Sequence, residues 1–334
     1  MKKQIRKILA VACSTAVAAS MLSVPAFAEG ESYHIGICQL VQHVALDAAT
    51  QGFIDALSEE AEAVGAEVTF DEQNAAGDAA TCSTICNTFV SDGVDLILAN
   101  ATPALQAAQA ATADIPILGT SVTDYATALD IDDWSGATGT NISGTSDLAP
   151  LDQQAALFGE ILPDAKKIGI LYCSAEQNSS YQASVITEEL QALSDEYEIS
   201  EYTFADSNDV ASVVTTACGE VDALYIPTDN TAASNAELIR NVIVPAGIPA
   251  IVGEEGICAG CGIATLSISY EDLGRATGKM AAKILFEGED VSAMDVQFAE
   301  ATTKEYNAEI CEELGITAPE DYVAIGGESE TEAE

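Results

Sequence analysis

Only two histidines, His34 and His43, occur in the 334 residues, and His43 lies shortly after Cys38. A thiol near an imidazole is the raw material of a nucleophilic dyad. Such a dyad needs a third group to orient the base, and the sequence offers none nearby. No G-x-S-x-G, H-E-x-x-H or phosphate-cradling P-loop pattern occurs. Cys258-Ala259-Gly260-Cys261 is a lone CxxC in a Gly-rich stretch. One CxxC is half a zinc site, so the pair either closes a small disulfide or stays as two thiols. These residues point away from an enzyme and require no cofactor or metal.

A second set of residues is larger and chemically milder. Hydroxyls, amides and carboxylates gather where apolar runs end. They are Gln39 and His43, Thr102, then Ser121, Thr123 and Asp124 in the first half of the chain. Glu176, Asn178 and Ser179, then Thr228, Asp229 and Asn230, then Glu254 follow in the second half. This chemistry binds a small polar solute. Several of these corners precede helices, where unpaired N–H groups favour an anion such as a carboxylate.

The elements that position these residues follow from periodicity. Residues 35–38 are a short apolar run, followed by a polar corner. Leu46, Ala49, Phe53, Ile54 and Leu57 then recur at helical spacing. The same strand, corner and helix return at residues 167–190, about 130 residues on. Further strands are expected over 67–70, 95–99, 115–119, 199–204, 223–227, 248–252 and 263–268, with a short one over 141–145 near a crossing between the lobes. Helices are expected over 79–91, 104–111, 151–162, 178–194, 208–218, 232–244, 272–286 and 304–314, with the CxxC in a loop. Alternation of this kind predicts an α/β protein of two doubly wound, Rossmann-like lobes with parallel sheets, joined by a multi-strand hinge. The first lobe is expected over 32–122 and about 256–290, the second over 123–255 and about 291–325. In such sheets ligands sit at the carboxyl ends of the strands, where the polar corners lie.

Composition sets the outer bounds. Lys2, Lys3, Arg6 and Lys7 precede an apolar run over 8–24 and the A-x-A pattern Ala26-Phe27-Ala28. This pattern predicts an export leader cleaved near Ala28. Loss of its four basic residues takes the formal charge from −43 to −47, which repels nucleic acid. Cys82 and Cys86 share a helical face with Ile85, Phe89 and Val90, as buried thiols do. Residues 326–334, GGESETEAE, are acidic and lack apolar side chains, which predicts disorder.

The ordered segments also resemble a known family. HIGICQLVQHVALDAATQGFIDAL, DLILANATPALQAAQAATADIPILGTSVTD, TNISGTSD, LYCSAEQNS, DALYIPTDNTAAS, SYEDLGRATGKMAAKIL and NAEICEELGI are similar to the TrpX-like substrate-binding proteins of ABC transporters. That resemblance implies the type I periplasmic binding protein fold. It also implies a monomeric extracytoplasmic receptor that passes a small solute, an aromatic amino acid in characterised members, to a permease. The family pattern falls on the corner from Gln39 to Asp47, on Thr102 and on Ser121 to Asp124. In the second half it falls on Glu176, Asn178 and Ser179 and on Thr228, Asp229 and Asn230. Tyr125, Cys173 and Cys261 depart from it. On this footing Thr102 and Ser121 are expected to hold the ligand carboxylate, and Asp229, with Glu176 or Glu254, its ammonium. Tyr125 and Tyr181 are candidate stacking partners. A sugar or nucleoside receptor, or the sensing partner of a membrane protein, is the alternative.

Overall fold

The computed structural model describes residues 31–299 and 301–325; the leader expected over 1–28 and the tail expected over 326–334 lie outside them. The chain builds β1 (Ser32–Gln39), α1 (Val44–Val64), β2 (Glu67–Asn74), α2 (Ala79–Asp92), β3 (Leu96–Asn100) and α3 (Thr102–Ala111). It continues with β4 (Ile117–Val122), α4 (Tyr125–Ala128) and β5 (Ile142–Ser146). A first crossing leads to α5 (Leu151–Ile161), β6 (Lys167–Cys173), α6 (Gln177–Leu193), β7 (Glu198–Phe204), α7 (Val210–Cys218) and β8 (Ala223–Ile226). Then come α8 (Asn230–Ser234), α9 (Ala236–Ala246), β9 (Ala250–Val252), α10 (Glu255–Gly260) and β10 (Ala264–Ser267). A second crossing returns to α11 (Tyr270–Ala282) and β11 (Gln297–Phe298). A third reaches β12 (Thr303–Tyr306), α12 (Ala308–Leu314) and β13 (Val323–Ala324).

Two sheets result, ordered β11-β5-β4-β3-β1-β2 and β13-β12-β10-β9-β8-β6-β7. The first is parallel throughout; in the second only β10 and β12 run antiparallel. β3 is buried along its whole length, as expected of a central strand with helices on both faces. Each sheet carries its own apolar core, and Phe53, Phe89, Phe158 and Phe204 are fully buried anchors. Among the described residues no helix is long and apolar enough to cross a membrane.

The elements that hold the site begin with clear local signals. Asp78 caps α2 by accepting from Thr81 N–H at 2.6 Å, an arrangement that stabilises a helix by about 1 kcal/mol. α1 and α11 approach until backbone meets backbone. A Cβ on Gly274 would overlap the Ala49 carbonyl, and one on Gly52 would overlap that of Glu271.

Four expectations change. Residues 123–146 belong with the first sheet, because the short strand expected near the crossing is β5, which pairs with β4 and is buried throughout. Residues 256–267 belong with the second sheet, because the CxxC region winds into α10 and links β9 to β10 as a crossover. Residues 297–298 pair with β5 and so also fall on the first sheet's side. The helix expected over 304–314 begins only at Ala308, where Asn307 accepts from Ile310 N–H; Thr303–Tyr306 is instead a strand on β10. Of the two alternatives for Cys258 and Cys261, the structure has the separate thiols. All eight cysteines among the described residues are free, and these two are buried in the apolar core of the second lobe.

Candidate functional site

A small, tightly closed cavity lies between the lobes. His43, Leu46 and Ser121 wall it from the first lobe. Asn178, Thr228, Asp229, Asn230, Ala233 and Glu254 wall it from the second, and Asp147 and Tyr270 do so at the crossings. Four buried polar atoms around it lack a hydrogen-bond partner: His43 Nδ1, Ser121 Oγ, Asp147 Oδ1 and Asn178 Oδ1. A fifth, Thr102 Oγ1, borders a smaller adjoining cavity with Asn178, Asp124, Gln177 and Tyr181. Leaving one such group unpaired costs about 1–3 kcal/mol. Their convergence therefore marks a place built for a polar guest.

The first lobe contributes strand ends under strain. Ser121, in β4, has φ 54°, and Ala101, between β3 and α3, has φ 92°. Each such non-glycine conformation costs about 1–3 kcal/mol, and these conformations cluster at ligand sites. The turn at Ala101 starts α3 with Thr102 and Pro103. Helix N–H groups and the Thr102 hydroxyl meet there. Asp147 follows β5; its Oδ2 accepts from the Tyr270 hydroxyl at 2.9 Å while its Oδ1 stays open. Burial pushes its carboxyl above the usual range, because no cation compensates the lost hydration.

The second lobe is rich in carboxylates, and they are already engaged. Asp229 accepts from Cys173 N–H at 2.6 Å and from Ala232 N–H at 2.7 Å, capping α8. Burial, and then neighbouring Glu176, pushes its carboxyl up to about 8. Glu176 accepts from the backbone and side chains of Asn230 and Thr231. Glu254 caps α10 through Gly256 and Ile257 N–H, and burial holds it up to about 7.

The lobes touch across the cleft. His43 Nε2 lies 3.2 Å from Asn230 Oδ1. Gln177 Nε2 donates to the Thr127 carbonyl at 3.0 Å, and Gln106 bonds Gln177. The clamp is therefore closed.

Most sequence-selected residues meet here, in different roles. Ser121, His43, Asn178, Thr228, Asp229, Asn230 and Glu254 line the cavity. Thr102 and Asp124 border the adjoining one, where Asp124 caps α4. Ser179 is fully buried beside Asp229, and Thr123 accepts from Gln182 at 3.4 Å. Gln39 does not line the cavity. It braces the corner, donating to Asp47 at 2.7 Å and the Val41 carbonyl, and accepting from Thr50. Tyr125 is no stacking partner; it packs in the first lobe's core against Trp134 and donates to the Thr145 carbonyl. Each Asp229 oxygen already accepts one backbone N–H. Asp147, which sequence reading passed over, keeps its Oδ1 open. Its signal was present: SD follows a strand and precedes a crossing. Among the described residues no group of three His, Cys, Asp or Glu is placed to hold a metal.

Two lobes, three crossings and a polar cavity between them define a solute-binding clamp of the type I periplasmic binding protein fold. Residues 34–329 match the family model described as ABC transporter substrate binding protein, and the chain belongs to that family. It is similar to a tyrosine-binding protein of Clostridioides difficile (strain R20291), with 38% identity over 269 residues, 80% of this chain and 77% of the relative. It resembles the ABC domain in complex with L-Trp from Streptococcus pneumonia, at 31% identity and a TM-score of 0.82, covering 88% of this chain and 99% of that one. A ligand-free, open substrate-binding protein with adhesive properties from Clostridium difficile is more similar in sequence, at 38%. It superposes less well, with a TM-score of 0.66 over 88% of this chain and 99% of that one.

Proposed function

We propose that the solute clamped by this substrate-binding protein is a free aromatic amino acid, passed to an ABC permease at the outer face of the membrane. The open Oδ1 of Asp147 carries the reading, as an anionic atom in a buried polar site that matches an ammonium. The unpaired Thr102 and Ser121 hydroxyls, near the start of α3, match the carboxylate. Leu46 and Ala233, one from each lobe, supply apolar surface for a ring. The tyrosine-binding relative and the relative solved with L-Trp support this choice. The receptor acts as an exported monomer, released from its leader near Ala28, and takes no part in nucleic-acid binding.

A thermal-shift and calorimetric screen of amino acids, sugars and nucleosides tests this. Ligand at a thousand times its Kd stabilises by about 4.1 kcal/mol, so tyrosine, tryptophan or phenylalanine should raise the Tm by several degrees. A shift with sugars or nucleosides alone would overturn the amino-acid reading.

A further inference from the structure

His43 is in contact with a hydrogen-bond chain whose direction can be worked out from its far end. Glu176 accepts from the backbone N–H groups of Asn230 and Thr231, so it is the receiving end. Asn230 Nδ2 donates to Glu176 Oε2 at 2.7 Å. That bond orients the amide and turns its Oδ1, an acceptor only, toward His43 Nε2 at 3.2 Å. Nε2 therefore carries the imidazole proton. Burial also disfavours a second proton on the ring. Nδ1 is left with a bare lone pair.

That lone pair is buried and without a partner. His43 occupies the capping position before α1, yet its side chain accepts nothing from the helix. It lines the cavity beside Leu46. A neutral, acceptor-only nitrogen is satisfied by a guest that donates.

We propose that His43 Nδ1 accepts a hydrogen bond from the ligand's side chain, the phenol of tyrosine or the indole N–H of tryptophan, and so ranks both above phenylalanine. The inference rests on the aromatic amino-acid reading above, in which Asp147 takes the ammonium and leaves the ring to His43. Because His43 belongs to one lobe and Asn230 to the other, the tautomer is fixed only when the clamp closes. Selection is then made in the closed state, where a donor-free ring leaves Nδ1 unpaired.

The test is calorimetry of tyrosine, tryptophan and phenylalanine on the full-length mature protein and on His43→Leu. Wild type is expected to prefer tyrosine to phenylalanine by about ten- to a hundredfold, the range for leaving one buried acceptor unpaired. In His43→Leu that ratio should collapse to within about threefold of unity. If the wild-type ratio is already near unity, or if the variant weakens all three ligands equally, His43 does not read the side chain. If none of the three binds wild type, the aromatic reading itself fails.

A readout independent of any variant uses 15N-histidine-labelled wild type, whose two histidines give few signals. Nε2 should carry the proton, and the Nδ1 resonance should move upfield with tyrosine but not with phenylalanine. An Nδ1-protonated ring in the tyrosine complex would overturn the proposal.

Discussion

The two walls of the cleft are built from similar residue types and differ in the bonding capacity they leave open, with Asn178 Oδ1 the open side-chain atom on the second lobe's wall. In the second lobe Asp229, Glu176 and Glu254 are buried, and each carboxylate is saturated by backbone N–H groups or by Asn230 and Thr231. In the first lobe and at its crossing, Thr102, Ser121 and Asp147 are equally buried but carry open atoms. The saturated carboxylates are a scaffold whose charges fix helix starts. The open wall is left for a guest, and its strained Ala101 and Ser121 mark where stability has been given up to hold those atoms in place. Charge alone is therefore a poor guide to which residue meets the ligand; free bonding capacity is the better one.

Four experiments sharpen or break this contrast. The largest effect is expected for Asp147→Asn, which keeps the shape but removes the charge facing the ammonium. Losing one member of a buried charge pair costs about 2–5 kcal/mol, so calorimetry should show affinity falling by about thirtyfold to several thousandfold. Unchanged affinity would return the ammonium to the second lobe. Next come Thr102→Val and Ser121→Ala, each removing one donor to a carboxylate. Hydrogen bonds to charged groups contribute about 1.5–3 kcal/mol, which predicts a loss of about ten- to a hundredfold per variant.

Asp229→Asn should separate the walls most clearly. Its amide can accept from only one of the two N–H groups the carboxylate now serves, so the Tm should drop by several degrees, at about 1 kcal/mol per cap. Amino-acid affinity should stay within about tenfold of wild type, since one neutral hydrogen bond is worth about 1 kcal/mol. A complete loss of binding in a folded variant would break the contrast.

The smallest effect concerns pH. An unperturbed glutamate titrates near 4.3, whereas burial holds Glu254 up to about 7. Between those values the folded chain keeps a proton that the unfolded chain has lost, so stability falls as pH rises through the window. Glu254→Gln keeps an acceptor for the cap and removes the titration. Its Tm should vary less than that of wild type across this window, by a few degrees, in a calorimetric pH series.

Much of the architecture was legible. β6 occupies its expected residues, 167–173, and the polar corners do converge on one cleft. Some roles were not legible, for physical reasons. Asp124, Asp229 and Glu254 were read as ligand groups; each also precedes a helix and caps it. An acid just before a helical run is a capping signal, and that signal deserved priority. Asp147 was passed over because the short strand before it, made of Ile, Gly, Ser and Thr, is not an apolar run, and only the ends of apolar runs were collected as polar corners. The bond from Tyr270 to Asp147 spans 123 positions, which local spacing does not reveal. The direction of the His43 chain depends on the orientation of one amide, which spacing cannot give.

The contact of α1 with α11 has a mechanical consequence. Gly52, Gly274 and Gly278 let the two backbones touch, so the pair behaves as one stiff lever. One end of α1 carries His43, and α11 starts at Tyr270, immediately after a crossing. A solute that pulls on the imidazole therefore also loads the pivot. A methyl group at any of these glycines would pry the lever apart and retune how readily the jaws shut, without touching the solute.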